Sequence, residues 1–547
     1  MKATTTTPTP LLKKGMHAAM RPLACVLEPL ALFARLTEGG LRPHTVLLES
    51  AEPSSRKTQK SLLVVSSALS IECRGAQVVL TALNAQGTAL LPLLHKQFER
   101  FYAQLDEKVL RLRVPLSTAE GRTFSDHERL QADSSLTVLR ELSALLRTAF
   151  PTMPEAVFLT GIFAYDLIEQ FEPLPEAPAS NPFPDYLFYL ADKVIEIDHL
   201  NASARMLACT FAAQNHEQAQ KESEAALAEL ETMLFVSEEV LPAHVHAHAT
   251  LEAVETDMDD AAFAAKVEAL KKHIVCGDLF QVVLSRTFFM PCTNPFEAYR
   301  ALRALNPSPY LFYLRHPAFA LLGASPESSV KVDGKTRRLE ISPIAGTRRR
   351  GMRDDGSLDA DLDGRIEAEL RLDEKENAEH MMLVDLARND VARVSRTGTR
   401  YVADLLRTER YSHVMHLVSR VCGELKSGLD ALHAYQASMN MGTLTGAPKI
   451  KSMQLLRHYE GGRRGHYGGA IGYLRGDGSF DTAIVIRAAL VHNGIAHIRA
   501  GAGVVHDSVP LMEADETRRK AEAVLRAIAI SETKQQHNIQ KREETHV

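Results

Sequence analysis

Two hydrophobic patterns alternate along the chain. From Leu47 to Val79, runs rich in leucine and β-branched residues (TVLLES, SLLVVSSALSIECRG) are separated by short polar breaks, as in strands of an antiparallel sheet. Strand patterns recur over Asp278 to Phe289, Pro309 to Leu314, Phe319 to Gly323 and Ser328 to Val332, then in HYGGAIGYLR, FDTAIVIRAALV and IAHIRAGAGVV. Helices are predicted over Pro92 to Arg111, Asn215 to Leu234, Asp260 to Cys276, Leu362 to Leu386 and Ala431 to Gln436. Ala156 to Glu172 mixes strand and turn signals. Strand clusters separated by helices, without a regular βαβ alternation, predict an α+β fold built on antiparallel sheets.

The stretch VSEEVLPAHVHAHATLEAVETDMDD has no apolar periodicity and marks a linker over 236–259. It divides an N-terminal region, 21–235, from a C-terminal region, 260–530. Residues 1–20 and the charged end 531–547 carry no core-forming pattern and are expected to be disordered tails.

With 547 residues, 45% of them hydrophobic and 24% charged, the chain has enough apolar surface for a large core. A net charge of -5 supplies no basic excess, which argues against nucleic acid and anionic membranes as partners. The six cysteines (25, 73, 209, 276, 292 and 422) form no CxxC pair, so neither a zinc site nor a disulfide framework is indicated. The start, MKATTTTPTPLLKKG, lacks the unbroken apolar core of a signal peptide, and no later stretch of about twenty residues is free of charge. A cytoplasmic location is expected; a hydroxyl-rich, acid-poor start also suits a plastid transit peptide.

Four groups of residues carry candidate chemistry. Glu376 with Glu379, and Glu513 with Glu516, are pairs at helical i, i+3 spacing, so each pair shares one helix face. They are either solvated helix faces or, brought together, the hard oxygen ligands that Mg²⁺ takes. Arg487 lies within FDTAIVIRAAL, where a buried guanidinium requires an anion and an outward one requires nothing. Gly501 and Gly503, read as a turn after a strand, let backbone N–H groups approach a small anion. The Gly-rich turns PIAGT (343–347) and GTLTGAPK (442–449) offer backbone donors and Thr hydroxyls without the spacing of a nucleotide-phosphate loop. His416 either moves protons or is a hydrogen-bonded structural residue. His244, His246 and His248 alternate in the expected linker, a weaker metal candidate. On these grounds the chain reads as a Mg²⁺-dependent enzyme acting on a small polyanion, and the reaction stays open.

Five motifs in order, SPIAGTRRRG, AEHMMLVDLARND, VMHLVSRV, GTLTGAPK and AGAGVVHDSVPLMEADE, resemble the chorismate-utilising enzymes over roughly Asp260 to Ile530. LLESAE and KSLLVVSSAL resemble the regulatory part of the anthranilate synthase large subunits within that family. The resemblance implies antiparallel sheets packed as a sandwich with helices outside. It implies Mg²⁺ held by Glu379 and Glu516, with Glu376 and Glu513 acting mainly through its waters. The ring carboxylate of chorismate would rest on Mg²⁺, the Gly346 N–H and the hydroxyls of Thr347 and Thr443. The enolpyruvyl carboxylate would lie against Tyr467, Arg487 and the Gly501–Ala502–Gly503 turn. Glu327 would be the general acid at the C4 hydroxyl, and His416 would assist the second step.

Within the family, Gln281 stands where water-using relatives resemble one another in a lysine base. Ala345 stands where aminodeoxychorismate synthases carry a nucleophilic lysine. The first points to ammonia as nucleophile and the second away from a covalent adduct at C2, and so together to anthranilate and pyruvate as products. None of the cysteines has the context of a glutaminase nucleophile, so the resemblance implies a separate glutamine amidotransferase subunit, two of each chain by analogy. An L-tryptophan inhibitor site is implied at Glu49, Ser50, Lys60, Pro309, Tyr310, Leu311 and Tyr473. Glu49 would pair with the ligand ammonium, and Leu311 departs from a common methionine.

Overall fold

Two long strands, Lys57–Arg74 and Tyr186–Asp198, organise the molecule. Their antiparallel pairing slips at bulges between Val64 and Leu69, where both strands bend. One half of each belongs to a first sheet and the other half to a second. This computed structural model describes all residues except 1–14, 24–27, 53–56, 116–124, 178–182, 235–253, 354, 356, 412–413 and 546–547.

The first sheet runs His17–Leu23, Ser203–Thr210, then the two long strands, then Thr45–Glu52, Tyr310–Arg315, Phe319–Ser325, Ala488–His492, Ile495–Val504 and Gln281–Pro291. The second runs Val109–Arg113, Gln77–Ala82, the long strands again, then Phe158–Phe163, Ala470–Arg475, Phe480–Ile484, Ser328–Val332, Arg338–Ile341 and Val414–Glu424. Ile344–Arg349 and Tyr401–Arg410 flank Val414–Glu424. All of these pairings are antiparallel, as expected for this fold class. One apolar core joins residues of both sheets, among them Val46, Leu62, Phe312, Phe163, Phe188 and Ile471. A second lies where helices Pro29–Leu36, His216–Leu234, Pro295–Leu305 and Pro510–Thr545 cover the first sheet.

Several boundaries differ from the sequence reading. The division at 236–259 does not separate two sheets: Thr45–Glu52 pairs with Tyr310–Arg315, and Phe158–Phe163 with Ala470–Arg475. Most of that segment, with His244, His246 and His248, lies outside the described residues, while Glu255–Thr256 pairs with Phe288 and Phe289. The helix expected over Pro92 to Arg111 is Ala85–Gln97, capped by Asn84, and the alternating VLRLR that follows is a strand. The helix expected over Leu362 to Leu386 is two, Ala360–Leu372 and Glu374–Val394, because Asp373 caps the second by accepting from Glu376 N–H at 3.0 Å. His17–Leu23, partly inside the expected N-terminal tail, is a sheet strand. The C-terminal end is helical to Thr545, since polar residues of good helix propensity extend an already nucleated helix without the cost of starting one. Among the described residues no helix is long and apolar enough to cross a membrane.

Glycines make the close strand joins possible. A Cβ on Gly161 would stand 2.0 Å from the Leu187 carbonyl oxygen, whereas one on Gly364, within helix Ala360–Leu372, meets nothing within 4 Å. Gly161→Ala is therefore expected to destabilise the protein by about 2–3 kcal/mol in urea unfolding. Gly364→Ala is expected to stabilise by roughly 0.5–1 kcal/mol, and equal effects at the two positions would contradict this packing.

Candidate active site

The strands that leave one sheet for the other do so side by side. Phe319–Ser325 in the first sheet continues as Ser328–Val332 in the second, and Phe480–Ile484 in the second continues as Ala488–His492 in the first. Glu327 and Arg487 occupy these two breaks. The crossing is stitched by Ala324 N–H donating to the Arg487 carbonyl at 3.1 Å and Ile484 N–H donating to the Glu327 carbonyl at 3.0 Å. Arg487 takes a positive φ of 50°, a conformation that costs roughly 1–3 kcal/mol outside glycine and points to a functional constraint. The single strand expected around Arg487 is thus two strands with the arginine at the bend between them.

Burial sets the electrostatics of this corner. The Glu327 carboxyl, 8% exposed, is pushed up to about 7 by burial, with Thr443, Lys520 and Arg487 pulling the other way. It therefore holds a proton near neutral pH, as a general acid must. Burial lowers the Arg487 guanidinium, while Tyr467, Glu516 and Glu327 act to raise it. Among the described residues it forms no ion pair. A cation placed this way favours an incoming carboxylate.

Around the corner, Gly346 adopts φ 79° at a bulge where Ile344–Arg349 pairs with Val414–Glu424, so PIAGT is a bulged strand rather than a turn. The bulge sets Thr347 opposite His416, and Thr347 Oγ1 and His416 Nδ1 share a hydrogen bond of 2.9 Å. Burial, and then the Arg487 charge, push His416 down to about 4, so the imidazole is neutral at neutral pH. Thr443 sits in the helical turn Gly442–Thr445, against Glu327, and its buried hydroxyl lacks a well-formed partner among the described residues. Tyr467 is buried, and burial pushes its phenol up to about 12.

Gly501 and Gly503 lie inside the strand Ile495–Val504, not in a turn after it. The reason for glycine is close approach: a side chain on Gly501 would meet Tyr467 Oη at 2.8 Å, and one on Gly503 would meet Gln281 Nε2 at 2.9 Å. The Ala502 methyl belongs to an apolar core, which leaves only its backbone for a ligand.

The two glutamate pairs arrive on helices Glu374–Val394 and Pro510–Thr545. Burial raises the Glu379 carboxyl, and the charges of Glu376 and Glu516 add to the rise against a 2.8 Å hydrogen bond from Gln281 Nε2. Glu513 is raised by burial and by Glu516. Glu516, which burial alone would raise, is held below its ordinary value by Lys520 at 2.6 Å. Arg348 pairs with Glu376 at 2.6 Å. Glu379 thus feels the charges of Glu376 and Glu516, and Glu513 that of Glu516, so carboxylates of the two helices are coupled, and their oxygens are of the type that Mg²⁺ takes. Among the described residues they do not converge into a ready-made cage of three ligands. Lys520 and Arg348, the counter-charges, were not singled out from the sequence. The signals were Lys520 at i+4 from Glu516 and an arginine run after PIAGT. Gln281 was read only as a discriminator, and its bond to Glu379 was not foreseen.

A second cluster lies on the strands leading away from the corner. Alternation along Thr45–Glu52 sends Glu49 to the outer face of the sheet, where its carboxylate, 3% exposed, accepts from Tyr299 Oη at 2.7 Å, Arg303 at 3.1 Å and Ser61 Oγ at 3.2 Å. Those partners occupy three of the roughly four acceptor positions of the carboxylate. Leu311, in register with Glu49, is buried in the same outer core. Ser50 pairs in register with Lys60, whose ammonium is lowered by burial and by Arg475, with Glu196 acting to raise it. Tyr310, next to half-buried Pro309, donates through Oη to Asp481 at 3.0 Å, and the Tyr473 ring stacks on Phe158 at 5.3 Å with Arg475 over it at 5.4 Å. Asp481, Glu196 and Arg475 link these residues and were not anticipated.

Residues 101–526 match the family model described as chorismate binding enzyme. The chain is 51% identical over 505 residues to anthranilate synthase component 1 of Vibrio cholerae, covering 92% of this chain and 94% of that one. It is 51% identical over 502 residues to the Escherichia coli protein of the same name, covering 92% and 95%. The crystal structure of anthranilate synthase component I from Streptococcus pneumoniae superposes with a TM-score of 0.63 at 28% identity, covering 85% of this chain and 92% of that one. Sequence match and fold agree: the chain belongs to the chorismate-binding enzyme family.

Proposed function

We propose that the chain is the large, ammonia-using subunit of an anthranilate synthase, which converts chorismate and ammonia to anthranilate, pyruvate and water in the cytoplasm. The observation that carries this reading is the corner where a carboxyl pushed up to about 7 by burial stands beside an arginine that forms no ion pair among the described residues. Chorismate carries two carboxylates and a poor leaving group, and the cleft offers a counterpart for each. Mg²⁺ bound among Glu376, Glu379, Glu513 and Glu516 would supply Lewis-acid withdrawal of charge through the ring carboxylate.

The chain's own residues do the rest. The Gly346 N–H and the hydroxyls of Thr347 and Thr443 orient the ring carboxylate, while Arg487, Tyr467 and the Gly503 N–H hold the enolpyruvyl carboxylate. Glu327 donates its proton to the C4 hydroxyl, which leaves as water while ammonia bonds to C2. In the second step the C2 proton is lost, the C3–O bond breaks, and the enolpyruvyl group departs as pyruvate as the ring becomes aromatic. Neutral His416, oriented by Thr347, assists that proton movement.

The nucleophile is read from Gln281 and Ala345. Gln281 is 3% exposed and bound to Glu379, and an amide cannot act as a base toward water. Ala345 offers no amine for a covalent adduct. Ammonia would come from glutamine through a partner glutaminase subunit, consistent with relatives named component 1. The cluster of Ser50, Lys60, Tyr310 and Tyr473 supports a feedback site for L-tryptophan, with Pro309 and Leu311 shaping its wall.

The decisive assay incubates purified protein with chorismate, Mg²⁺ and ammonium. Fluorescent anthranilate and stoichiometric pyruvate are expected; a non-aromatic amino product alone would instead indicate an aminodeoxychorismate synthase. Because the Glu327 carboxyl is raised to about 7, its proton is present below that pH and lost above it. With free ammonia held constant, kcat/KM should therefore fall above pH about 7, and Glu327→Gln should lower kcat by roughly 10²–10⁴-fold and flatten that limb. An unchanged alkaline limb in Glu327→Gln would remove the residue from this role. Ser50→Phe should retain synthase activity and escape tryptophan inhibition, and full inhibition of that variant would end the feedback assignment.

A further inference from the structure

The walls of the cleft come from separate stretches of chain, and one buried side chain ties three of them. Arg464, 4% exposed, follows the helix Lys449–Glu460. Its Nε and Nη2 donate to the Glu460 carboxylate at 2.8 and 2.6 Å. Nη1 donates to the Leu444 carbonyl and Nη2 to the Val283 carbonyl, each at 2.6 Å. Leu444 adjoins Thr443. Val283 lies two residues from Gln281 and stands in register with Gly503. The guanidinium also lies 4.6 Å from the Tyr165 ring and 5.6 Å from that of Tyr467.

Both ends of this arrangement are anchored. Glu460 accepts from Ser285 N–H at 2.8 Å, Ser285 Oγ at 2.7 Å and Arg499 at 2.7 Å, and Arg499 precedes Gly501 on the same strand. Asp166, from the N-terminal part of the chain, accepts from the N–H groups of Arg464 at 3.3 Å and Gly465 at 2.7 Å. Burial acts to raise Glu460, yet Arg464 and Arg499 hold it down at about 2, so it stays ionised. The planar guanidinium makes these four bonds from three separate nitrogens, a spread that the single nitrogen of a lysine ammonium does not have.

Building on the chorismate reading, we propose that Arg464, held by Glu460, is a positioning residue for the reaction. It sets the spacing between the Thr443 hydroxyl, the Tyr467 phenol and the wall made by Gln281 and Gly503. That spacing fixes the distance between the groups that grip the two carboxylates of the substrate. A displacement of about 1 Å in such a frame costs on the order of 10²-fold in rate.

Arg464→Lys tests this, because lysine keeps the charge beside Glu460 and loses the fork. The variant is expected to stay folded and to lose about 10²-fold in kcat/KM for chorismate per mole of folded protein, with a raised KM as well as a lowered kcat. In Arg464→Ala, soluble guanidinium at low millimolar concentration should restore at least about tenfold of the lost kcat/KM while methylammonium does not, a readout that a purely structural role would not move. If Arg464→Ala does not fold, the lysine variant carries the test alone. Active wild-type protein with Arg464→Lys within about twofold of it, or rescue by both cations alike, would overturn the positioning role alone. Wild-type protein that makes no anthranilate would overturn this role together with the chorismate reading.

Discussion

Adjacent strands change sheets at one corner, and the chemistry follows from that constraint. A strand that leaves one antiparallel sheet for another must break its ladder, and the residues at the break lose the pairing that would otherwise fix their direction. Here two neighbouring strands break together, which places an acid and a guanidinium opposite each other at the edge of a packed core. The same packing that excludes water keeps Glu327 protonated near neutral pH and leaves Arg487 in need of an anion.

Charge balance in the cleft extends the same logic. Four glutamates sit on two helices, with Lys520 paired to Glu516 and Arg348 to Glu376. One lysine and one arginine do not balance the charge of four carboxylates. His416 stays neutral chiefly through burial and then through the Arg487 charge beside it.

Much of the fold was legible, because period-two alternation and leucine-rich runs mark most strands irrespective of tertiary context. What escaped were the breaks. FDTAIVIRAALV reads as one strand since nothing in its composition reports the positive φ of Arg487, and AGAG reads as a turn although its glycines serve close approach within a strand. For the second cluster, the sequence reading grouped residues of neighbouring strands but not the faces of their side chains. Glu49 and Ser50 are neighbours in LLES, yet pleating sends one beneath the helix Pro295–Leu305 and the other toward Lys60. Partners such as Lys520, Asp481 and Arg464 carry no motif of their own, and only the folded geometry gives them a role.

The edge shared by Phe158–Phe163 and Ala470–Arg475 has a consequence for ancestry. Because segments hundreds of residues apart complete one another's sheets, the N-terminal and C-terminal parts cannot be traded between lineages as cassettes. A recombination breakpoint between them would leave each fragment with an open seam of unpaired backbone. Divergence in this architecture has to proceed by point substitution, with both halves inherited as a single unit.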